Sequence, residues 1–339
     1  MKNLAVTLLV ALLAGCATAP PDGIDTTYNA VGQSSRVRFL VLHYTVADNP
    51  ASLKILTQQQ VSSHYLVTDG PTPVVYRLVD ETRAAYHAGN SSWKNYTQLN
   101  NSSIGIEIVN AGWKDTPAGR VFPPFPQTQI DVLIPLIKGI VARHGIAPEN
   151  VLAHSDIAPL RKQDPGPMFP WYQLAQAGLV AWPDANRVSA VRQVFNIQAP
   201  DAAWFQKKLA SHGYALPQTG VYDGATRTVL SAFQMKYRPS NFAGEPDAET
   251  AALLEVLTTP ASAPLPAVPP APEPMFRPVQ PVPADPAAAP QVPAMPALPP
   301  ATPETPAVPA VPPAVPPVPP APPVPITPPA PAPVATGTQ

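Results

Sequence analysis

Proline divides this chain before anything else does. Of its 52 prolines, 32 follow Thr259, in a stretch whose only charges are Glu273, Arg277, Asp285 and Glu304. Each proline removes a backbone donor and fixes φ, so the repeated Ala-Pro, Val-Pro and Pro-Pro units exclude a packed domain. They favour a polyproline II rod or a disordered chain over residues 259–339. At about 3.1 Å per residue such a tail reaches on the order of 250 Å when fully extended. A flexible spacer and a segment that docks onto a partner both suit that composition. What folds must therefore lie before it, in roughly 240 residues, more than one small domain needs. The formal charge of −1 carries no polycation signature, which argues against nucleic acid as a partner.

The first sixteen residues set the compartment. Lys2 leads into an apolar run from Leu4 to Ala14 that closes on Leu13-Ala-Gly-Cys16. The run falls short of the about 20 apolar residues a bilayer span needs. A basic start, an apolar stretch and small residues before a cysteine describe a secretory signal. Leu-Ala-Gly-Cys resembles the bacterial lipobox, which implies a lipoprotein signal peptide over residues 1–15 and lipidation of Cys16. Cys16 is the only cysteine of the chain, so no disulfide framework competes for it. Each buried methylene of a lipid contributes about 0.8 kcal/mol, so several acyl chains would hold a soluble body at a membrane. An aspartate after such a cysteine goes with inner-membrane retention; Ala17 stands here, so the same resemblance implies the periplasmic face of the outer membrane. Residues 16–30 are then a lipidated linker.

Between linker and tail, apolar periodicity alternates between strand and helix. Arg36 to Tyr44 reads as a buried strand in which His43 shares a face with Val37, Phe39 and Val41. A helix is expected from about Ala51 to Gln60, capped at Asn49-Pro50, with strands at Ser63 to Thr68 and Val74 to Val79. The spacing of Ile130, Leu133, Ile134, Ile137 and Val141 predicts a long helix ending at Gly145, and Val151-Leu-Ala a strand that delivers His154. The fold class expected over residues 31–182 is α/β, a mixed central sheet flanked by helices, with its site at strand ends.

Four polar features interrupt that apolar pattern. His43 lies on an apolar strand, Glu107 sits mid-strand in Ile104-Gly-Ile-Glu-Ile-Val-Asn110, and His154 and Asp164 stand ten residues apart with Lys162 between them. Each has a plain structural explanation: a hydrogen-bonded core histidine, a salt-bridged or edge glutamate. Buried charges are nonetheless costly unless paired or neutralised. Two neutral imidazoles and one carboxylate, His43, His154 and Asp164, suit a tetrahedral zinc that keeps a fourth position for water. Such a site lowers the pKa of that water toward about 7, Glu107 is placed to take its proton, and Lys162 to steady charge on an attacked carbonyl oxygen. Spacing alone does not establish this, because the ligands are scattered and no compact two-histidine helix motif is present.

Val-Leu-His43-Tyr-Thr, Ser62-Ser-His-Tyr65, Ile-Gly-Ile-Glu107-Ile-Val-Asn and His154-Ser-Asp-Ile-Ala-Pro-Leu-Arg-Lys-Gln-Asp164-Pro-Gly-Pro occur in that order. Together they resemble the zinc-dependent N-acetylmuramoyl-L-alanine amidases, the family related to phage T7 lysozyme and the peptidoglycan recognition proteins, over about residues 30 to 180. The resemblance implies hydrolysis of the amide joining the lactyl group of muramic acid to the first L-alanine of the stem peptide. It implies one Zn2+ held by His43, His154 and Asp164, Glu107 as the catalytic carboxylate and Lys162 as the oxyanion stabiliser. Some relatives carry cysteine and tyrosine in place of this aspartate and glutamate, which puts the chain on the bacterial amidase side. His87, Trp93 and Asn101, polar or aromatic and near these motifs, are candidates to line a glycopeptide groove. His64 reads as structural, and His144 and His212 as surface residues or helix caps.

Residues 183–258 change to short helices, around Trp204 to Leu209, Asp223 to Gln234 and Asp247 to Leu254, with Asp223 and Asp247 at N-cap positions. Phe205, Leu209, Val229, Phe233, Leu253 and Leu254 would close a small all-α three-helix domain. Thr219-Gly-Val-Tyr-Asp-Gly-Ala-Thr226 and Ala232-Phe-Gln234 resemble the peptidoglycan-binding domain often appended to wall hydrolases, although Met235 to Pro246 is less regular than such domains. A purely structural appendage is the other reading. Tethering two modules raises local substrate concentration without new contacts. Two alternatives to the amidase remain at this point: a non-catalytic peptidoglycan-binding lipoprotein on the same fold, and a zinc peptidase cutting within the stem peptide. Nothing in the sequence calls for a second copy, so a monomer is expected.

Overall fold

The structure is a computed structural model and describes residues 24–117 and 119–266. The signal segment 1–15, Cys16 and nearly all of the proline-rich tail lie outside the described residues. In chain order the elements are β1 (Phe39–Tyr44), α1 (Asn49–Gln58), β2 (Tyr65–Val67), β3 (Val75–Arg77), β4 (Ser92–Trp93), β5 (Tyr96–Thr97), β6 (Ser103–Ile108), β7 (Lys114–Thr116) and β8 (Gly119–Val121). There follow α2 (Gln127–His144), β9 (Val151–Ala153), α3 (His154–Ile157), α4 (Trp171–Gln176), α5 (Ala185–Ile197), α6 (Ala202–His212), α7 (Gly224–Tyr237) and α8 (Ala248–Thr258). Among the described residues no helix is long and apolar enough to cross a membrane.

A five-stranded sheet of order β3-β2-β6-β1-β9 carries the fold, parallel throughout except for the antiparallel edge strand β3. Parallel strands are covered on both faces, and the alternation along β1 shows how. Leu40 and Leu42 point into a core with Ile104, Ile106 and Ile108 of β6 and with Ile130, Leu133, Ile137 and Ile140 of α2. Phe39 and Val41 point the other way, into one continuous apolar cluster that includes Phe205, Leu209, Val229, Phe233 and Leu254 of the C-terminal helices. The mixed α/β sheet flanked by helices is as the apolar periodicity predicts. The helical region, expected as a separate small domain, instead shares a core with one face of the sheet.

Local chemistry explains the element ends. α1 starts one residue earlier than its expected cap: the Asp48 carboxylate accepts from Ala51 N–H, with Pro50 in the first turn. Asn49 is drawn away, because its side chain bonds Asp69. α2 stops where predicted, at Gly145 with φ of 65°, the left-handed conformation that glycine adopts without a Cβ penalty. The three expected C-terminal helices are present, with Asp201, Asp223 and Asp247 each capping through its carboxylate. A fourth, α5, was not anticipated. Its signals were there: Asp184 accepts from Arg187 N–H, and Val188, Val191 and Phe195 recur at helical spacing toward the shared cluster.

Trp93 is the joint between sheet and helices. It projects from the β4–β5 hairpin, is 1% exposed, and meets the rings of His212 and Tyr214 edge-on. This corrects its expected place in a substrate groove, since a large indole buries its area best inside the core. His212 ends α6, as its place beside Gly213 predicts, but it is not a surface residue: it packs among Trp93, Tyr214, Phe233 and Tyr237, and burial pushes its pKa down to about 4. Gly213 makes the joint possible. Its φ is 143°, and a Cβ there would lie 2.5 Å from the Trp93 ring. Gly213→Ala combines overpacking with backbone strain and is expected to cost about 1–3 kcal/mol, read as a lowered Tm with far-UV circular dichroism retained below it; an unchanged Tm would contradict this packing.

Candidate active site

The carboxyl ends of the central parallel strands open onto a cavity of about 450 Å3. Ligand sites in parallel sheets characteristically lie there. His43 is the fifth residue of β1 and pairs in register with Glu107 of β6, so two neighbouring strands present an imidazole and a carboxylate side by side. β9, on the other side of β1, ends at Ala153, and His154 follows at once. The loop after α3 returns Asp164, whose carbonyl accepts from Ser155 N–H at 3.0 Å. His43, His87, Glu107, His154, Lys162 and Asp164 all line this one cavity.

Three ligand atoms converge in it. His43 Nδ1 lies 2.9 Å from His154 Nδ1, and each lies 3.0 Å from Asp164 Oδ2. The protons on these rings follow from what stands behind them. Ser103 Oγ donates to the Leu99 carbonyl at 2.6 Å, so it must accept from His87 Nε2–H at 3.2 Å. His87 Nδ1 is then the acceptor for His43 Nε2–H at 3.0 Å, which leaves His43 Nδ1 a bare lone pair. His154 Nε2–H donates to the Ala88 carbonyl at 3.2 Å, so its Nδ1 is bare as well. Burial favours the neutral form of two of these rings: it drives His43 down to about 4, helped by His154, and His87 well below its ordinary value, helped by His43 and His64.

Three buried electron pairs facing one another without a proton between them form a cation site by their donor chemistry. The edges of the triangle are close to the about 3.3 Å expected for ligands at about 2.0–2.1 Å around a tetrahedral zinc. Ring nitrogens anchored from behind by a carbonyl or a hydrogen-bond chain are the usual support of metal-binding histidines. The residues present therefore fit zinc.

Some of this support was missed by sequence reading. Gly105 gives His87 its room, since a Cβ there would lie 2.5 Å from the His87 ring. The Asn100 side chain, not that of Asn101, accepts from the backbone N–H groups of His87 and Ala88. Asn101 is exposed and lines a different hollow, beside Arg83 and His144, so the groove role expected of it is not supported. Arg161 donates to the carbonyls of Ala88 and Asn90 and ties the Asp164 loop to them. His64, as expected, is structural: Nε2 donates to the Arg83 carbonyl and Nδ1 accepts from Gly105 N–H. His144 closes α2 and is held between Ser35 and Glu81.

Residues 33–167 match the family model described as N-acetylmuramoyl-L-alanine amidase, and residues 198–254 that of a putative peptidoglycan binding domain. N-acetylmuramoyl-L-alanine amidase AmiD of Escherichia coli K12 is 46% identical over 258 residues, spanning 73% of this chain and 93% of the relative. The chain belongs to the N-acetylmuramoyl-L-alanine amidases. The solved E. coli AmiD, in complex with anhydro-N-acetylmuramic acid-L-Ala-D-gamma-Glu-L-Lys, aligns with a TM-score of 0.62 over 69% of this chain and 93% of that one. AmpDh3 of Pseudomonas aeruginosa aligns at 41% identity with a TM-score of 0.65 over 69% of this chain and 96% of that one.

In this amidase the Glu107 carboxyl is held well above its ordinary range, first by burial and then by the Asp164 charge, with Lys162 pulling it down. Its Oε2 is buried with no hydrogen-bond partner among the described residues. In the metal-free protein the Glu107 side-chain carbon is expected to titrate by NMR above the ordinary about 4.3. Lys162→Met, which removes the cation favouring its ionised form, should move that midpoint higher; a midpoint at or below the ordinary value contradicts the burial.

Proposed function

We propose that this amidase works with one zinc ion held by His43, His154 and Asp164, on muropeptides and peptidoglycan, from a lipid anchor on the periplasmic face of the outer membrane. The observation that carries the metal assignment is the triangle of bare ligand atoms 2.9–3.0 Å apart. Zinc, when bound, supplies the Lewis acidity that makes water nucleophilic near neutral pH. The remaining work falls to the chain. Glu107, beside His43 on the next strand, accepts the proton of the attacking water and returns it to the nitrogen of L-alanine as the C–N bond breaks. The Lys162 ammonium, which lines the same cavity, stabilises the negative charge that develops on the carbonyl oxygen. The products are a free lactyl carboxylate on muramic acid and a peptide beginning with L-alanine.

Anhydro-muropeptides belong to the proposed substrate range, because E. coli AmiD is solved with such a tripeptide and AmpDh3 with an anhydromuramic pentapeptide. Wall remodelling and recycling follow as its role. His87 borders the cavity but spends both ring nitrogens on His43 and Ser103, so it serves ligand orientation and offers substrate only the edge of its ring. A wall-binding protein that recognises without cutting would have no use for Glu107 beside a complete ligand set. The protein is proposed to act as a monomer.

The decisive experiment incubates protein lacking residues 1–16 with a defined muramyl tripeptide, with and without a chelator, and reads products by mass spectrometry. The expected products are free L-Ala-led peptide plus intact muramic acid, lost on chelation and restored by zinc. Glu107→Ala should abolish turnover with zinc still bound, and Asp164→Ala should lose both. Cleavage inside the peptide would identify a peptidase, and binding without cleavage a recognition protein. Independently, Cys16→Ser is expected to move the full-length protein from the membrane fraction to the soluble periplasm; unchanged fractionation would refute the lipid anchor.

A further inference from the structure

Asp156 lies two residues after His154, in the first turn of α3, and is 1% exposed. Its Oδ2 accepts from the Ala153 backbone N–H at 2.8 Å and from Lys236 Nζ at 2.8 Å, and its Oδ1 accepts from Tyr214 OH at 2.6 Å. Lys236 Nζ also donates to the Val151 carbonyl at 3.1 Å and stands 4.4 Å from the centre of the Trp171 ring. Lys236 thus holds the chain on both sides of His154: directly at Val151 on β9, and through Asp156 on the turn after it. Lys236 belongs to α7 and Tyr214 to the loop after α6, both inside the stretch that matches a putative peptidoglycan binding domain. None of the three lines the catalytic cavity.

A lysine and an aspartate this deeply buried are an unexpected choice for mere adhesion. Removing two charges from water is costly, and apolar residues of similar volume generally hold an interface as well or better. What an ionic group adds is direction. A carboxylate receiving three donors, one of them charged, fixes its own plane and with it the backbone N–H at Ala153. Apolar contacts at the same place would leave the turn free to rotate by small amounts, and the His154 ring would follow. Metal centres are sensitive to such support around the ligands.

We propose that Asp156, clamped by Lys236 and Tyr214, is the positioning group for the His154 ligand, so that the helical region is a strut of the metal centre as well as a wall-binding module. This rests on the zinc reading given above for the ligand triangle. As a strut the helical region alters metal retention and turnover; as an appendage for wall binding it alters only substrate capture.

The test uses the full-length protein and the variants Tyr214→Phe, Lys236→Met and the charge-neutral pair Asp156→Asn with Lys236→Met. Leu254→Ala, in the α8 part of the same core, serves as a control that lowers stability without touching Asp156. Zinc affinity is measured by chelator competition at temperatures where circular dichroism shows each variant folded. Amide hydrogen exchange across residues 153–157 is measured in the metal-free protein. Tyr214→Phe, which removes one hydroxyl and keeps the ring, and Lys236→Met are expected to weaken zinc binding about 10–100-fold and to speed exchange at 153–157. Leu254→Ala is expected to lower Tm while leaving both unchanged. Variants that lose no more zinc affinity or exchange protection than Leu254→Ala would overturn the strut. A wild-type protein that holds no zinc would sink the zinc reading, and the exchange at 153–157 would still decide for or against the positioning role.

Discussion

Mutual repulsion of buried lone pairs is the constraint from which the rest of this structure follows. Two ring nitrogens and a carboxylate oxygen face one another at about 3 Å, and no chain adopts that arrangement unless each group is held from behind. Every holding contact is polar and directional. His43 is fixed through His87 to Ser103 and the Leu99 carbonyl, His154 by the Ala88 carbonyl, and the Asp164 loop by its bond to Ser155 N–H and by Arg161. The parallel sheet supplies the rigid base for these contacts because it is covered on both faces. Its helix α2 covers one side, and the C-terminal helices, with Trp93 as wedge, cover the other.

The parts of the site legible in the sequence were those in which polarity contradicts local pattern. His43 and Glu107 interrupt apolar strands, and strand register alone makes them neighbours. His154 and Asp164 fall within one short motif, so ten residues of chain suffice to bring them together. The long helix to Gly145 and the caps at Asp223 and Asp247 were legible for the same reason, since period and capping are short-range signals. Residues whose role is set by distant parts of the chain were not. Trp93 was expected in a groove because it is aromatic and lies near the motifs; its true neighbours are 119 to 121 positions further along, at His212 and Tyr214. Asn101 and Asn100 are indistinguishable in sequence, and only the approach of the His87 loop selects Asn100.

The boundary between catalytic and helical regions has the same lesson on a larger scale. Composition and helix length change near residue 183, and two separate family models match on either side. Packing does not respect that change: residues of β1, β4 and β9 share a single apolar cluster with α5, α6, α7 and α8. The α5 helix, which falls between the two matched stretches, supplies part of the contact through Val191 and Phe195.

Gly213 and Trp93 fit together as a lock and its key, one from each region. Treating the catalytic and helical stretches as interchangeable cassettes presumes that each keeps its surface when transplanted. Here a cassette exchange that brought in a helical region without that glycine would strand the indole in water and uncover one face of the sheet. A change on one side of the joint therefore restricts which changes the other side can accept.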